Sequence, residues 1–135
     1  MQMIKRLQAL IWLIVILITG ATSQAHAQQK HSIKRIEKLF TGIWINKKST
    51  RHLEISFNDG YATITDWTSK FQKRESGDLY KASLKNGKLF MPEDTQHRAP
   101  YSEILYKNNT LIYLTKGTAT AASRWEKQVF TRKLP

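Results

Sequence analysis

The sequence predicts a mainly β protein: an antiparallel meander of about eight strands closing into a small barrel, preceded by a short helix. Two observations carry that expectation. After Phe40, apolar residues recur with period two in short runs, the spacing that sends alternate side chains of a strand to opposite faces. Between the runs stand Asn58-Asp59-Gly60, Ser76-Gly77-Asp78, Asn86-Gly87 and Asn108-Asn109, residues that tolerate the positive φ of tight hairpin turns. Strands joined in sequence by such turns pair antiparallel, and closing the meander removes the two edges an open sheet would present. An open sandwich is the alternative.

The chain opens with the two cations Lys5 and Arg6, an almost wholly apolar stretch from Leu7 to Thr19, and the small-residue exit Ala25-His26-Ala27. That order is the n-region, h-region and cleavage site of a signal peptide spanning residues 1–27, cut between Ala27 and Gln28. The rival is an uncleaved anchor, but an apolar run of about 13 residues is shorter than the roughly 20 that a spanning helix needs. An exported bacterial protein is expected, periplasmic or secreted, with no stable transmembrane span after cleavage. Residues 28–135 then form one domain, with the helix in 28–40 and the barrel in 41–135.

The full chain has 22 Lys+Arg against 10 Asp+Glu, a formal charge of +12, and no cysteine. Cleavage would remove only Lys5 and Arg6, so the basic excess belongs to the exported domain. The missing cysteines exclude disulfide scaffolds, thiolate metal sites, thiol nucleophiles and a lipoprotein anchor. A hydrophobic share of 41% is too high for a disordered basic tail and argues for a packed core.

Within the domain, Ile33, Ile36 and Phe40 recur at i, i+3 and i+7 and predict a helix over about Ser32 to Leu39. Lys30, Lys34 and Lys38, with Arg35 beside them, form a basic stripe on its other face. Strands are expected near Gly42 to Asn46, Arg51 to Phe57, Tyr61 to Trp67, Lys70 to Lys73 and Leu79 to Leu84. Four more follow, at Lys88 to Met91, Tyr101 to Lys107, Thr110 to Thr115 and Arg124 to Arg132. The second of these alternates cleanly, with Leu53, Ile55 and Phe57 on one face and His52, Glu54 and Ser56 on the other. Asn108-Asn109-Thr110 formally matches a glycosylation sequon but reads as a hairpin turn.

Gly42-Ile43-Trp44 stands at the start of the first strand, directly after the helix. This resembles the G-x-W opening of the lipocalins and the wider calycin group. The resemblance implies a lipocalin-like barrel in which Trp44 closes one end and an arginine of the last strand, here Arg132, lies across its ring. A guanidinium can stack on an indole while its N–H groups serve free carbonyls at the barrel end. On this reading Trp44 and Arg132 are structural.

No nucleophile elbow, phosphate-binding glycine loop or H-E-x-x-H pair occurs, so an enzyme is not expected. The densest titratable cluster, Glu93, Asp94 and His97 between Pro92 and Pro100, reads as a surface loop rather than a metal or acid–base centre. His31 and His52 read as solvated. No cofactor is expected. Two binding functions remain: carriage of a small apolar or amphipathic ligand at the barrel end or in its cavity, and docking of a basic face on an anionic envelope polymer or acidic protein. Nucleic acid is the less favoured polyanion. For the second function the candidate surface is the helix stripe together with Trp67, Lys70, Lys73, Arg74 and Lys81, where aromatic and basic residues interleave.

Overall fold

The computed structural model describes residues 24–117 and 124–134. The greater part of the signal-peptide segment, residues 1–23, lies outside them. Two compact units divide the chain, Met1–Ile36 and Glu37–Pro135. The helix, α1, runs over residues 24–40, longer at its N-terminal end than the apolar repeat implies. The cause is local: Gln24 to Lys30 contains neither proline nor glycine and is rich in alanine and glutamine, so propensity carries the helix beyond its apolar face. Among the described residues no helix is long and apolar enough to cross a membrane.

Eight strands follow: β1 Gly42–Asn46, β2 Arg51–Asn58, β3 Tyr61–Thr68, β4 Asp78–Lys85, β5 Lys88–Met91, β6 Ser102–Lys107, β7 Thr110–Lys116 and β8 Trp125–Arg132. Each pairs antiparallel with the next, and β8 returns to β1 to close the barrel. The expected strand at Lys70 to Lys73 is absent. Those residues form a turn, with backbone bonds from Phe71 and Gln72 to the Thr68 carbonyl, leading into a 3-10 turn at Arg74–Ser76. Lys70, Gln72 and Lys73 around one exposed Phe71 have no inward face to bury, so nothing draws them into the sheet.

Both ends of the barrel follow from the turns. Asp59-Gly60, Asn86-Gly87 and Asn108-Asn109 all have positive φ at both positions, the two-residue geometry whose twist matches that of the flanking strands. They gather at one end with Gly42 and Arg132. The longer connections, residues 47–50, 69–77 and 92–101, gather at the other. Strand alternation then sorts the interior by height. Near the tight turns the inward side chains are Trp44, Ile55, Ile64, Leu89, Ile104, Leu111 and Phe130, all less than 2% exposed. Toward the long loops the same inward positions become polar: Arg51, Asp66, Tyr80, Ser102, Thr115 and Gln128.

Candidate functional site

The closed end is built around Trp44. Its Nε1 donates to the Phe40 carbonyl at 2.7 Å, so the last turn of α1 is pinned across the mouth. Tyr106 meets both Phe40 and Trp44 edge-on, with ring centroids 6.3 and 6.1 Å apart. Arg132, paired with Trp44 in the β1–β8 register, places its guanidinium 4.2 Å from the Trp44 ring centre. That guanidinium donates to the Thr41 carbonyl at 2.5 Å and the Leu39 carbonyl at 2.8 Å, capping free acceptors at the helix end.

The glycine of Gly42-Ile43-Trp44 has a physical cause here. A Cβ on Gly42 would lie 2.6 Å from an Arg132 nitrogen, and its φ is +129°, a conformation only glycine adopts without strain. Gly42→Ala is expected to displace Arg132 and lower stability by about 1–3 kcal/mol, read as a loss in chemical-denaturation midpoint. An unchanged midpoint would show that Arg132 contributes nothing there.

The open end holds a cavity of about 860 Å³. None of Trp44, Ile64, Ile104 or Phe130 reaches it, so the core beneath is packed and the cup occupies only the upper half of the barrel. Arg51 sits at the base of that cup. Its Nε and a terminal nitrogen grip Asp66 at 2.9 and 2.5 Å, and the other terminal nitrogen donates to Gln128 Oε1 at 3.1 Å. The guanidinium lies 4.6 Å over the Tyr113 ring and 5.8 Å from that of Phe130. Burial by itself lowers the Arg51 pKa, but the bond to Asp66 and its charge, with Tyr113 adding to them, raise it above the ordinary value. Arg51 is therefore charged at every working pH. A guanidinium has five N–H donors. Three are engaged by Asp66 and Gln128 and a further one by Tyr113, which leaves one without a partner among the described residues.

Tyr80 stands on the wall beside this pair. Burial first, and then the charges of Asp78 and Asp66, push its pKa up, which keeps the phenol a donor. Arg51 is already neutralised by Asp66, so what remains around the cavity is Lys81 and Arg98 against Asp78, Asp94 and Glu126, a slight acidic excess. The +12 of the chain is thus not concentrated here. An approximately neutral, polar cup favours a neutral or zwitterionic guest over a strongly anionic one.

The segment Pro92 to Pro100 lies at the cavity mouth. Asp94 and Ala99 exchange backbone bonds of 2.8 Å, making a small hairpin whose tip is held by one carboxylate. Asp94 Oδ1 accepts from the Gln96 and His97 amides, and Oδ2 lies 2.7 Å from His97 Nδ1. Glu93 is exposed and stands apart from these bonds. Hydrogen bonds from His97 lower the Asp94 pKa below the ordinary 3.8. A depressed carboxylate pKa means that its contribution is complete above 3.8 and disappears as pH falls through the lower folded value. The loop is therefore expected to hold down to about pH 4 and loosen in stronger acid. Amide exchange at Gln96 and His97 that accelerates already between pH 7 and 5 would contradict this.

The candidate basic surface is only partly assembled. Lys30, Lys34, Arg35 and Lys38 are exposed on α1, and Lys70 and Lys73 are exposed in the β3–β4 connection. Trp67 is not available to a partner: it is 8% exposed, stacked on His52 with centroids 4.9 Å apart. Gly77 backs it so closely that a Cβ there would meet Trp67 Cβ at 3.1 Å. His52 is correspondingly half-buried, its Nδ1 2.9 Å from the Thr50 carbonyl, rather than solvated; His31 is exposed. Arg74 is ion-paired with Glu54. Lys81 lies 5.9 Å from the Tyr61 ring on the outer face.

Comparison of the chain with protein-family models, curated proteins and solved structures finds no match. What the site can do is therefore read from its own geometry. Arg51 and Asp66, its central pair, had a sequence signal that composition hides. Arg51 is in phase with Leu53 and Ile55, and Asp66 with Ala62 and Ile64, so opposite charges fall on the inward faces of consecutive strands.

Proposed function

We propose that this is a non-catalytic binding protein of the bacterial cell envelope, related to the calycins, that takes a small amphipathic ligand in the cup at the open end of its barrel. The observation that carries the reading is Arg51: a charged group at the base of a cavity, held on both sides by Asp66 and Gln128, with one N–H donor left over. Rigid donors lose little entropy on binding and favour a guest with a carbonyl or similar acceptor. Tyr80, Tyr113 and Met91 offer the guest an apolar flank. A purely apolar ligand fits poorly, because it would strip water from Arg51, Ser102 and Gln128 without replacing those hydrogen bonds.

Several features support the rest of the reading. The n-region, apolar run and A-x-A exit of residues 1–27 favour export. The Gly42, Trp44 and Arg132 arrangement favours calycin kinship. Asp94 and His97, the titratable groups nearest the mouth, are spent on holding their own turn, which favours binding over chemistry.

Thr115 faces the cavity from β7, opposite Ser102. Thr115→Trp is expected to fill the cup while leaving the packed core below untouched. Native mass spectrometry of the purified protein is expected to show a bound small molecule, or uptake from a panel of polar amphipathic compounds, that the variant excludes. A protein that takes up none of them, or a variant that binds as the parent does, overturns the proposal.

A further inference from the structure

The cup is not walled all round. β4 pairs with β3 along Asp78 to Ser83, but with β5 only at Ser83, Leu84 and Lys85. Its first half therefore has a neighbour on one side and a free edge on the other. Which backbone groups that edge presents follows from the turns. The two-residue turn Asn86-Gly87 makes Lys85–Lys88 a hydrogen-bonded pair, and alternation makes Ser83–Phe90 the next. Leu79 and Lys81 are in phase with these, so their N–H and C=O groups point away from β3. The turn Asp59-Gly60 gives the same phase independently: it aims Ala62, Ile64 and Asp66 at β4, opposite Ala82, Tyr80 and Asp78. Among the described residues no backbone bond reaches Leu79 or Lys81 on the open side.

Both residues line the cavity, as do Pro92, Asp94 and His97 on the far side of the gap. Their side chains alternate outward, with Leu79 69% exposed, so what they bring to the mouth is the strand edge itself. Two donors and two acceptors in ladder spacing thus look into a nearly neutral, polar cup.

We propose that the ligand of this cup is an uncharged peptide segment in extended conformation, which adds to the Leu79–Lys81 edge of β4 and sends one side chain toward Arg51. The inference rests on the binding reading above and names its ligand class. Only another backbone supplies alternating N–H and C=O groups in that register. The loop Pro92 to Pro100 stands across the gap, so a single chain fits where a second barrel would not. The slight acidic excess around the cup disfavours an anionic peptide, and the spare donor of Arg51 suits a side-chain amide or hydroxyl.

The test uses the whole protein and the blocked pentapeptide acetyl-Thr-Val-Gln-Val-Thr-amide. In the free protein the Leu79 and Lys81 amides are expected to exchange freely with solvent. Saturating peptide is expected to slow both by about tenfold or more, as a single gained hydrogen bond each would do. Methylating the peptide's backbone nitrogens at alternate residues is expected to abolish this in one phase and not in the other. Lys81→Pro removes an N–H that the barrel does not use, and proline is tolerated on such an edge. It is expected to weaken peptide binding by about tenfold with the circular dichroism spectrum and melting temperature retained.

The peptide inference is overturned by Leu79 and Lys81 amides that are already protected in dilute free protein, or protected with rising protein concentration, which would mean that a second copy covers the edge. Peptide binding indifferent to methylation in both phases overturns it as well. Small-molecule uptake that Thr115→Trp blocks, with no peptide effect at these amides, sinks the inference but leaves the binding reading intact. Absence of both sinks the two together.

Discussion

Asp66→Ala is expected to destabilise the protein by about 3 kcal/mol, because it leaves the largely buried Arg51 guanidinium without its counter-charge. The side chains of Arg51 and Asp66 are only 20% and 10% exposed, so solvent screening does little to soften the loss. The double variant Arg51→Met with Asp66→Leu removes both charges, and is expected to recover most of that stability while losing any ligand that depends on the Arg51 donors. Urea denaturation of the parent, Arg51→Met, Asp66→Leu and the double variant measures the coupling directly. A single Asp66→Ala variant as stable as the parent would mean that Arg51 finds other acceptors or turns out to solvent. The role given to it at the base of the cup would then fall.

Trp44→Ala is expected to cost about 3–5 kcal/mol, the range for removing a large aromatic from a filled core. The ring is 0% exposed, and three contacts would go together: the indole bond to Phe40, the edge contact with Tyr106 and the face on which Arg132 lies. Trp44→Phe keeps a ring for Arg132 but loses the bond to the Phe40 carbonyl, so it is expected to fall between the two. Near-ultraviolet circular dichroism and the denaturation midpoint report both changes. Because the cup is separated from Trp44 by the packed layer of Ile64, Leu111 and Phe130, ligand uptake by Trp44→Phe is expected to match that of the parent. A variant that folds well yet no longer binds would mean that the two ends of the barrel are coupled.

The helix and the strands were legible to different degrees. Period two and Asn-Gly-type turns located all eight strands to within a residue of their ends, since each uses local information: alternation decides the face and the turn decides the reversal. Lys70 to Lys73 misled because one apolar residue between polar ones is too short a pattern to show a strand. The deciding fact was that Phe71 had no core within reach. Trp67 misled in the opposite direction. It points to the outer face of β3, where a tryptophan reads as a platform for a partner, but the 3-10 turn and Gly77 fold over it and His52 takes its ring. No local pattern announces that cover, because it depends on how a nine-residue connection packs back on the sheet.

By itself, then, the sequence determined the class of the fold, its strand order and its antiparallel closure, all of which follow from short-range periodicity and from turns that admit only a few geometries. It also held the inward phase of Arg51 and Asp66. Only the tertiary structure decided where the barrel is full and where it is empty. Height within a barrel depends on the stagger of strands far apart in the chain, and the short β5 leaves half of β4 unpaired for a reason that neither strand shows alone. The +12 of the whole chain pointed to an anionic partner, whereas the charged side chains that converge on the cup come from β2, β3, β4, β8 and the 92–101 connection and nearly cancel. Net charge is a sum over the surface; what a ligand meets is the small set of charges that folding brings to one place.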